Sequence, residues 1–409
     1  MNKISINTSA AIPAASTINL SASKSESNRA LIIQALSDEK IDLNNLSDAR
    51  DTQTMMRLLA SKDKTWDVLD AGTTMRFLTA YLALTGKDQT ITGSERMQQR
   101  PIKLLVDALR ELGASIDYLK NDGYPPLKVS KITQQKTDSL KIQGNISSQY
   151  ISALLMIAPM LPNGLTIELV GDVFSRPYIE MTLGLMQQFG VKNEWRGNTI
   201  AIAPQKYTAN SYTIESDWSG ASYWLSMVSL SKSSKVKLTG LRENSYQGDI
   251  RIREIMHGLG LTTRFSGEEF VIEKKPSISP MVIDFKTCPD LAQTVMVVAT
   301  GLKSPISMTG LESLRIKETD RLAAMQTELA KFGATLVEET PGFWELEPPT
   351  ELPKDPITIS TYEDHRMAMA FAPLAQKVPL IIEEPEVVNK SYPGFWEDCK
   401  KYGLDIKEV

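Results

Sequence analysis

Arg321-Leu322-Ala323-Ala324-Met325-Gln326-Thr327-Glu328-Leu329-Ala330-Lys331-Phe332, closed by Gly333-Ala334 and followed by Thr335-Leu336-Val337-Glu338, is the stretch on which the fold turns. Leu322, Met325, Leu329 and Phe332 fall on one helical stripe. Glycine just past such a stripe suits a left-handed helix end, and Thr335 to Glu338 reads as a strand. Pro305 to Leu311, upstream, reads as a strand and turn. The same ending recurs at Leu112-Gly113-Ala114, Phe189-Gly190-Val191, Leu259-Gly260-Leu261 and Tyr402-Gly403-Leu404, with the glycines 70 to 77 residues apart. One such cap means little; five at near-constant spacing point to a repeated helix-and-strand unit. A step of about seventy back from Gly113 reaches Asp42, just after the apolar Ala30 to Leu36, where a sixth, degenerate copy fits. Six units over 409 residues predict an α/β protein of two domains with three units each, dividing near Ser216. A single large α/β domain whose helices merely end in glycine is the competing reading.

Composition narrows the function. With 42% hydrophobic and 23% charged residues the chain is an ordinary globular one. Cys288 and Cys399 are its only cysteines and His257 and His365 its only histidines, so neither a disulfide framework nor a His-rich metal site is expected. No run of eighteen apolar residues and no secretion-like leader is present, so a cytoplasmic protein without a membrane partner is expected. The net charge of −4 argues against nucleic acid and requires any anionic ligand to be held by local cations.

Those cations cluster where helices begin. Ser23-Lys24-Ser25-Glu26-Ser27-Asn28-Arg29 precedes an apolar run, and Ser23 with Glu26 has capping-box spacing. Capping explains neither Lys24 nor Arg29, which are unfavourable at the positive end of a helix dipole unless an anion is there. Asp70-Ala71-Gly72-Thr73-Thr74-Met75-Arg76 and Gly144-Asn145-Ile146-Ser147-Ser148-Gln149 also open helices. Gly72 gives a ligand backbone access, and Ser147 and Ser148 suit a phosphate, although a turn and a cap explain both segments too. Lys317-Glu318-Thr319-Asp320-Arg321 puts Lys317 and Arg321 four apart on one predicted helix face, with a structural salt bridge as the alternative. Glu363-Asp364-His365-Arg366-Met367 is another charged entry, in which His365 alone reads as a structural hydrogen bonder. Together these starts are expected to converge on one anion site lined by helix N-termini from both domains.

In order from Ser23 to Pro393, this set resembles the 5-enolpyruvylshikimate-3-phosphate synthase family of enolpyruvyl transferases. The most specific pieces are Ser23-Lys24-Ser25 with Asn28-Arg29, Ala71-Gly72-Thr73, Arg96-Met97 with Arg100-Pro101, Lys317 to Arg321, and Asp364 to Met369. The resemblance implies a two-domain fold, each domain of three βαβαββ repeats, with residues 21–215 in one and 1–20 plus 216–409 in the other. It places the active site in the cleft between them. It implies transfer of the enolpyruvyl group of phosphoenolpyruvate to shikimate 3-phosphate by addition and elimination, in the shikimate pathway to chorismate and aromatic amino acids. No cofactor or metal is implied, and a monomer is expected.

Carried over, Lys24, Ser25, Arg29, Ser147, Ser148, Gln149, Ser175, Asp290 and Lys317 bind shikimate 3-phosphate. Lys24, Gly72, Arg96, Gln149, Arg321, Arg366 and Lys390 bind phosphoenolpyruvate. Asp290, Glu318 and Lys24 are the catalytic candidates: Glu318 at the methylene, Asp290 at the reacting hydroxyl, Lys24 assisting. The positive charge of Lys317 and Arg321 works against Glu318 as a proton donor, and two polyanionic substrates would offset it. The chain departs from the family's commonest pattern at Asp70, Phe77 and Ser313, where asparagine, proline and asparagine are usual. The related transferase family acting on UDP-N-acetylglucosamine commonly uses a loop cysteine, which neither Cys288 nor Cys399 matches; a non-catalytic phosphosugar sensor would have little reason to keep Asp290, Glu318 and Lys390 together.

Overall fold

The computed structural model describes residues 2–8, 13–86, 88–145, 147–208, 210–232, 235–275 and 281–409. Ser23–Ile214 forms one compact unit, and Met1–Ala22 joins Glu215–Val409 in the other. Backbone pairing explains why the first residues belong with the last half. Lys3–Thr8 lies antiparallel between Leu380–Glu383 and Leu404–Glu408, and Ala15–Asn19 runs parallel to Lys235–Thr239. The first fills an interior place in its sheet, and the second covers the side of Lys235–Thr239 away from its hairpin.

Five four-stranded sheets share one plan among the described residues. In one, Thr65–Asp67 is parallel to Gln89–Thr92, which pairs antiparallel with Leu127–Ser130, itself antiparallel to Ser115–Tyr118. The Gly72–Thr85 helix crosses between the parallel pair and the Lys103–Leu112 helix leads into the hairpin. This is a βαβαββ unit, and the chain has the mixed α/β repeat fold expected of it. The sixth copy is cut short: Asp42–Asn44 pairs in parallel with Ser211–Thr213, and no hairpin adds to it among the described residues.

All five recurrent glycines have positive φ, from 81° at Gly333 to 112° at Gly113. A β-carbon is disfavoured there, which is why the residue recurs at each helix end. The helix quoted first runs Arg321–Ala330 and buries Leu322, Met325 and Leu329, with Phe332 buried just beyond.

Each unit has three inner helices packed on one another: Lys24–Leu36, Gly72–Thr85 and Ser148–Ile157 in one, Trp218–Leu230, Ala292–Leu302 and His365–Phe371 in the other. They are buried over most of their circumference, as helices without a polar face must be. Lys103–Leu112, by contrast, buries only the stripe of Leu105, Val106, Ala108, Leu109 and Leu112. Polar residues of the inner helices are therefore confined largely to their ends. That confinement places the site.

Alanine substitutions separate conformation from crowding at the glycine caps. Gly333→Ala, whose β-carbon would meet Pro349 at a tolerable 3.4 Å, should lose about 1–2 kcal/mol for its backbone alone. Gly113→Ala would put the β-carbon 2.3 Å from the Gln134 carbonyl oxygen and should lose clearly more. Urea unfolding of both variants measures the difference; equal losses would mean that crowding at Gly113 is relieved without cost.

Candidate active site

In the Ser23–Ile214 unit, the Ser23 hydroxyl caps the first inner helix by accepting from the Glu26 amide at 3.4 Å. Lys24 becomes the first helical residue, and its Nζ donates to Asp51 Oδ2 at 3.0 Å. Asp51 is buried at the start of the Arg50–Ala60 helix. Arg29, one turn on from Ser25, is enclosed. Its guanidinium donates to the Ser25 and Tyr178 carbonyls at 2.9 and 3.3 Å and to the Thr182 and Ser152 hydroxyls at 2.7 and 3.2 Å. Burial lowers it to about 10, still cationic at neutral pH. Phe77 lies 5.3 Å beneath that guanidinium, so the aromatic ring at this unusual position gives the buried charge a π face.

The second inner helix opens at Gly72. A β-carbon there would stand 2.7 Å from Arg100 Nη1, so the missing side chain is the space the Arg100 guanidinium occupies. Arg76 donates to the Gly72 and Pro101 carbonyls at 3.2 and 2.8 Å, tying this helix start to the segment that carries Arg96 and Arg100. Arg96 is exposed, immediately before the Met97–Gln99 turn. Asp70, a carboxylate beside an expected anion site, is covered by Arg50, whose Nη2 reaches both of its oxygens at 2.9 and 3.0 Å.

The third inner helix starts beside the second. Ser147 is its cap, accepting from the Gln149 amide at 3.4 Å; Ser148 is buried, and Gln149 Nε2 donates to Thr73 Oγ1 at 3.1 Å. Ile146 lies outside the described residues. Ser175 caps Arg176–Gln188 in a left-handed conformation (φ 52°), and its hydroxyl makes no capping bond. A non-glycine residue held in that region is strained, a feature that gathers at ligand sites. Lys24, Ser25, Gly72, Ser147, Ser148 and Gln149 thus all stand at or next to the starts of inner helices, where free amides and dipoles favour an anion.

The other unit brings together Asp290, Lys317, Glu318, Arg321, Arg366 and Lys390. Arg321, only 2% exposed, donates from Nε to Asp364 Oδ2 at 2.6 Å, from Nη1 to Asp290 Oδ1 at 2.9 Å and from Nη2 to Glu318 Oε2 at 3.0 Å. Arg366 Nη2 reaches Asp290 Oδ2 at 3.1 Å, Lys317 Nζ lies 3.4 Å from Asp290 Oδ1, and buried Lys390 lies 3.9 Å from Glu318 Oε1. Burial by itself would push Asp290 up. Arg366, Lys317 and Arg321 outweigh it and hold the carboxyl well below its ordinary range. Burial likewise disfavours charged Arg321, but Asp364, Glu318 and Asp290 outweigh it and strengthen its hold on the proton.

The pentapeptide before Arg321 differs in one respect from its expected shape. Lys317 and Arg321 do not share a helix face, because Asp320 accepts from the Leu322 and Ala323 amides and starts the helix at Arg321. Lys317, Glu318 and Thr319 are turn residues, and the two cations meet through Asp290 instead. Sequence reasoning missed Asp51 and the anchoring role of Asp364, and it quoted Arg100 without giving it a role. The only local signal was the cap position of Asp364, whose side chain accepts from the Arg366 amide at 2.9 Å; its partner Arg321 is 43 residues away.

With the geometry in place, comparison decides the family. The family model described as EPSP synthase (3-phosphoshikimate 1-carboxyvinyltransferase) matches residues 10–64 and 59–399. The chain belongs to that family. It is 50% identical over 397 residues to the 3-phosphoshikimate 1-carboxyvinyltransferase of Bacteroides fragilis strain YCH46, covering 96% of both chains. The Vibrio cholerae strain M66-2 enzyme of the same name is 38% identical, with 93% of this chain and 95% of that one covered. Among solved structures, an Acinetobacter baumannii EPSP synthase superposes with a TM-score of 0.81 over the full length of both chains at 20% identity, a likeness of fold. Among the described residues no helix is long and apolar enough to cross a membrane, and no group of three or more His, Cys, Asp or Glu is placed to hold a metal ion.

Removing Arg321 tests the balance of buried charge. Arg321→Met strands Asp364, which is fully buried, and should lower unfolding stability by about 3–5 kcal/mol in urea titrations. Adding Asp364→Asn should restore part of that loss; a double variant no more stable than the single one would mean that the lost packing, not the stranded charge, sets it.

Proposed function

We infer that this chain is a 3-phosphoshikimate 1-carboxyvinyltransferase, transferring the enolpyruvyl group of phosphoenolpyruvate to shikimate 3-phosphate with release of phosphate. The family match and the identity to enzymes of that name along nearly the whole chain support the reaction. The observation that carries the mechanism is the pair of carboxylates, Asp290 and Glu318, held on one buried arginine and bordered by Lys317, Arg366 and Lys390. Addition requires one proton delivered to the donor's methylene and one taken from the attacking hydroxyl. Elimination removes a proton from the new methyl group as the carbon–oxygen bond to phosphate breaks.

Glu318 is assigned the methylene proton and Asp290 the hydroxyl. Asp290, held ionised by three cations, suits an acceptor. Lys24 supports charge on the bridging oxygen. Arg321, Arg366, Lys390, Arg96 and Lys24 would hold phosphoenolpyruvate, with Gly72 offering it a helix-start amide beside Arg100 and Gln149 near both substrates. Ser25, Ser147, Ser148, Ser175 and Lys317 would hold shikimate 3-phosphate. Arg29, whose described bonds all run to protein groups, would act on the same ligand chiefly by fixing Ser25 and the helix start. The residues of both units are proposed to serve one substrate pair, and the enzyme to work as a cytoplasmic monomer. Fixing two reactants in place is worth roughly 7–11 kcal/mol of barrier, which is what so many binding groups supply.

Phosphate release measured with each substrate omitted in turn should require both. Glu318→Gln should reduce kcat about 10²–10⁴-fold and change either KM far less. Equal losses in turnover and binding would reduce Glu318 to a salt-bridge partner of Arg321.

A further inference from the structure

Asp249 has no part in the site described so far, yet it is wired to it. It is buried in the Gly248–Arg251 turn, in the same unit as Arg366. Its Oδ2 accepts the Ser219 hydroxyl, and Ser219 Oγ accepts from Arg366 Nη2 at 3.3 Å. The same Nη2 donates to Asp290 Oδ2 at 3.1 Å. One guanidinium nitrogen is thus shared between the carboxylate of the reaction and a chain that ends on a second carboxylate.

The other oxygen of that second carboxylate, Asp249 Oδ1, is enclosed and meets no hydrogen-bond donor among the described residues. An ionised carboxylate pays heavily for such an oxygen and a neutral acid much less. The charged and titratable groups facing Asp249 are Arg366 from the His365–Phe371 helix, Asp290 and Cys288 from the turn before Ala292–Leu302, and Asp217 from the cap of Trp218–Leu230; Arg251, on its own turn, donates instead to the Asp284 carbonyl and the Thr287 hydroxyl. Two of the three carboxylate and guanidinium neighbours that act on it directly are negative, and burial exceeds the pull of Arg366. The carboxyl is pushed up to about 6, whereas the Cys288 thiol, pushed up to about 12, stays neutral.

We propose that Asp249, acting through Ser219, is a positioning residue for Arg366 that governs how much of its positive charge the anionic donor substrate meets. The proposal rests on Arg366 being a phosphoenolpyruvate contact. As pH rises through about 6, Asp249 ionises, adds a negative charge behind Arg366 and holds Nη2 toward Ser219, and the donor is bound less tightly. At lower pH the neutral acid leaves the guanidinium to the substrate.

The test is the pH dependence of the phosphoenolpyruvate KM in Asp249→Asn relative to wild type. The amide keeps the neutral state at every pH, and the substrate's own ionisation cancels in the ratio. The ratio should be near one at pH 5 and fall roughly three- to tenfold by pH 8, while the corresponding ratio for shikimate 3-phosphate stays flat. A flat or rising donor ratio overturns the proposal. Should Asp249→Asn not fold, Ser219→Ala carries the test: without the hydroxyl that links Asp249 to Arg366 and favours the ionised acid, the rise in donor KM between pH 5 and pH 8 should shrink and move to higher pH, and a limb unchanged in size and position overturns the proposal. A wild-type enzyme without two-substrate phosphate release would fail the functional reading and take this proposal with it; an active enzyme with a flat ratio fails the proposal alone.

Discussion

Arg321 sits in the interior of its unit facing Asp364, Asp290 and Glu318 at once. A lone charge at that depth is prohibitive, and one carboxylate would leave donors of the guanidinium unmet. Three carboxylates satisfy its fork, and they do so from three separate elements: the cap of one inner helix, the turn before another, and the turn before its own helix. The arrangement therefore orders the backbone around it. It also holds two carboxylates side by side in a partly enclosed place, which they could not share without the arginine and the cations beyond it.

Arg29 offers the contrast. It is just as enclosed, but its described partners are hydroxyls and carbonyls, so nothing negative outweighs the cost of burial and its hold on the proton weakens. Arg321 moves the opposite way for the opposite reason. One arginine braces helices with neutral bonds; the other organises charge. The distinction lies wholly in what surrounds two chemically identical side chains.

Inner helices explain why functional groups collect as they do. A helix buried all round carries its charged residues mainly near its ends, and its first turn offers free amides and partial positive charge. In one unit those first turns carry Lys24, Gly72 and Ser148; in the other they begin at or just after Asp217, Asp290 and Asp364. One half of the chain brings cations and small polar groups to its helix starts and the other brings carboxylates that then recruit cations.

Much of this is legible in the amino-acid sequence. The glycine period, the buried stripe of Leu322, Met325 and Leu329 and the polar helix starts are local in sequence, because a helix repeats every three to four residues and a left-handed cap needs glycine within one residue of its end. Even the degenerate sixth copy showed itself, in the step of about seventy residues from Gly113 back to Asp42 just after Ala30 to Leu36. The ion pair of Lys24 with Asp51, the guanidinium of Arg100 in the space left by Gly72, the grip of Asp364 on Arg321 and the thread from Asp249 to Arg366 were not legible. Each joins residues 27 to 117 positions apart, and no local pattern encodes such a meeting. The amino-acid sequence by itself determined the repeat, the helix ends and the kinds of side chain at them; only the tertiary structure decided which charges would be buried together, since that depends on how sheets and inner helices pack and on the cost of leaving any one of those charges alone.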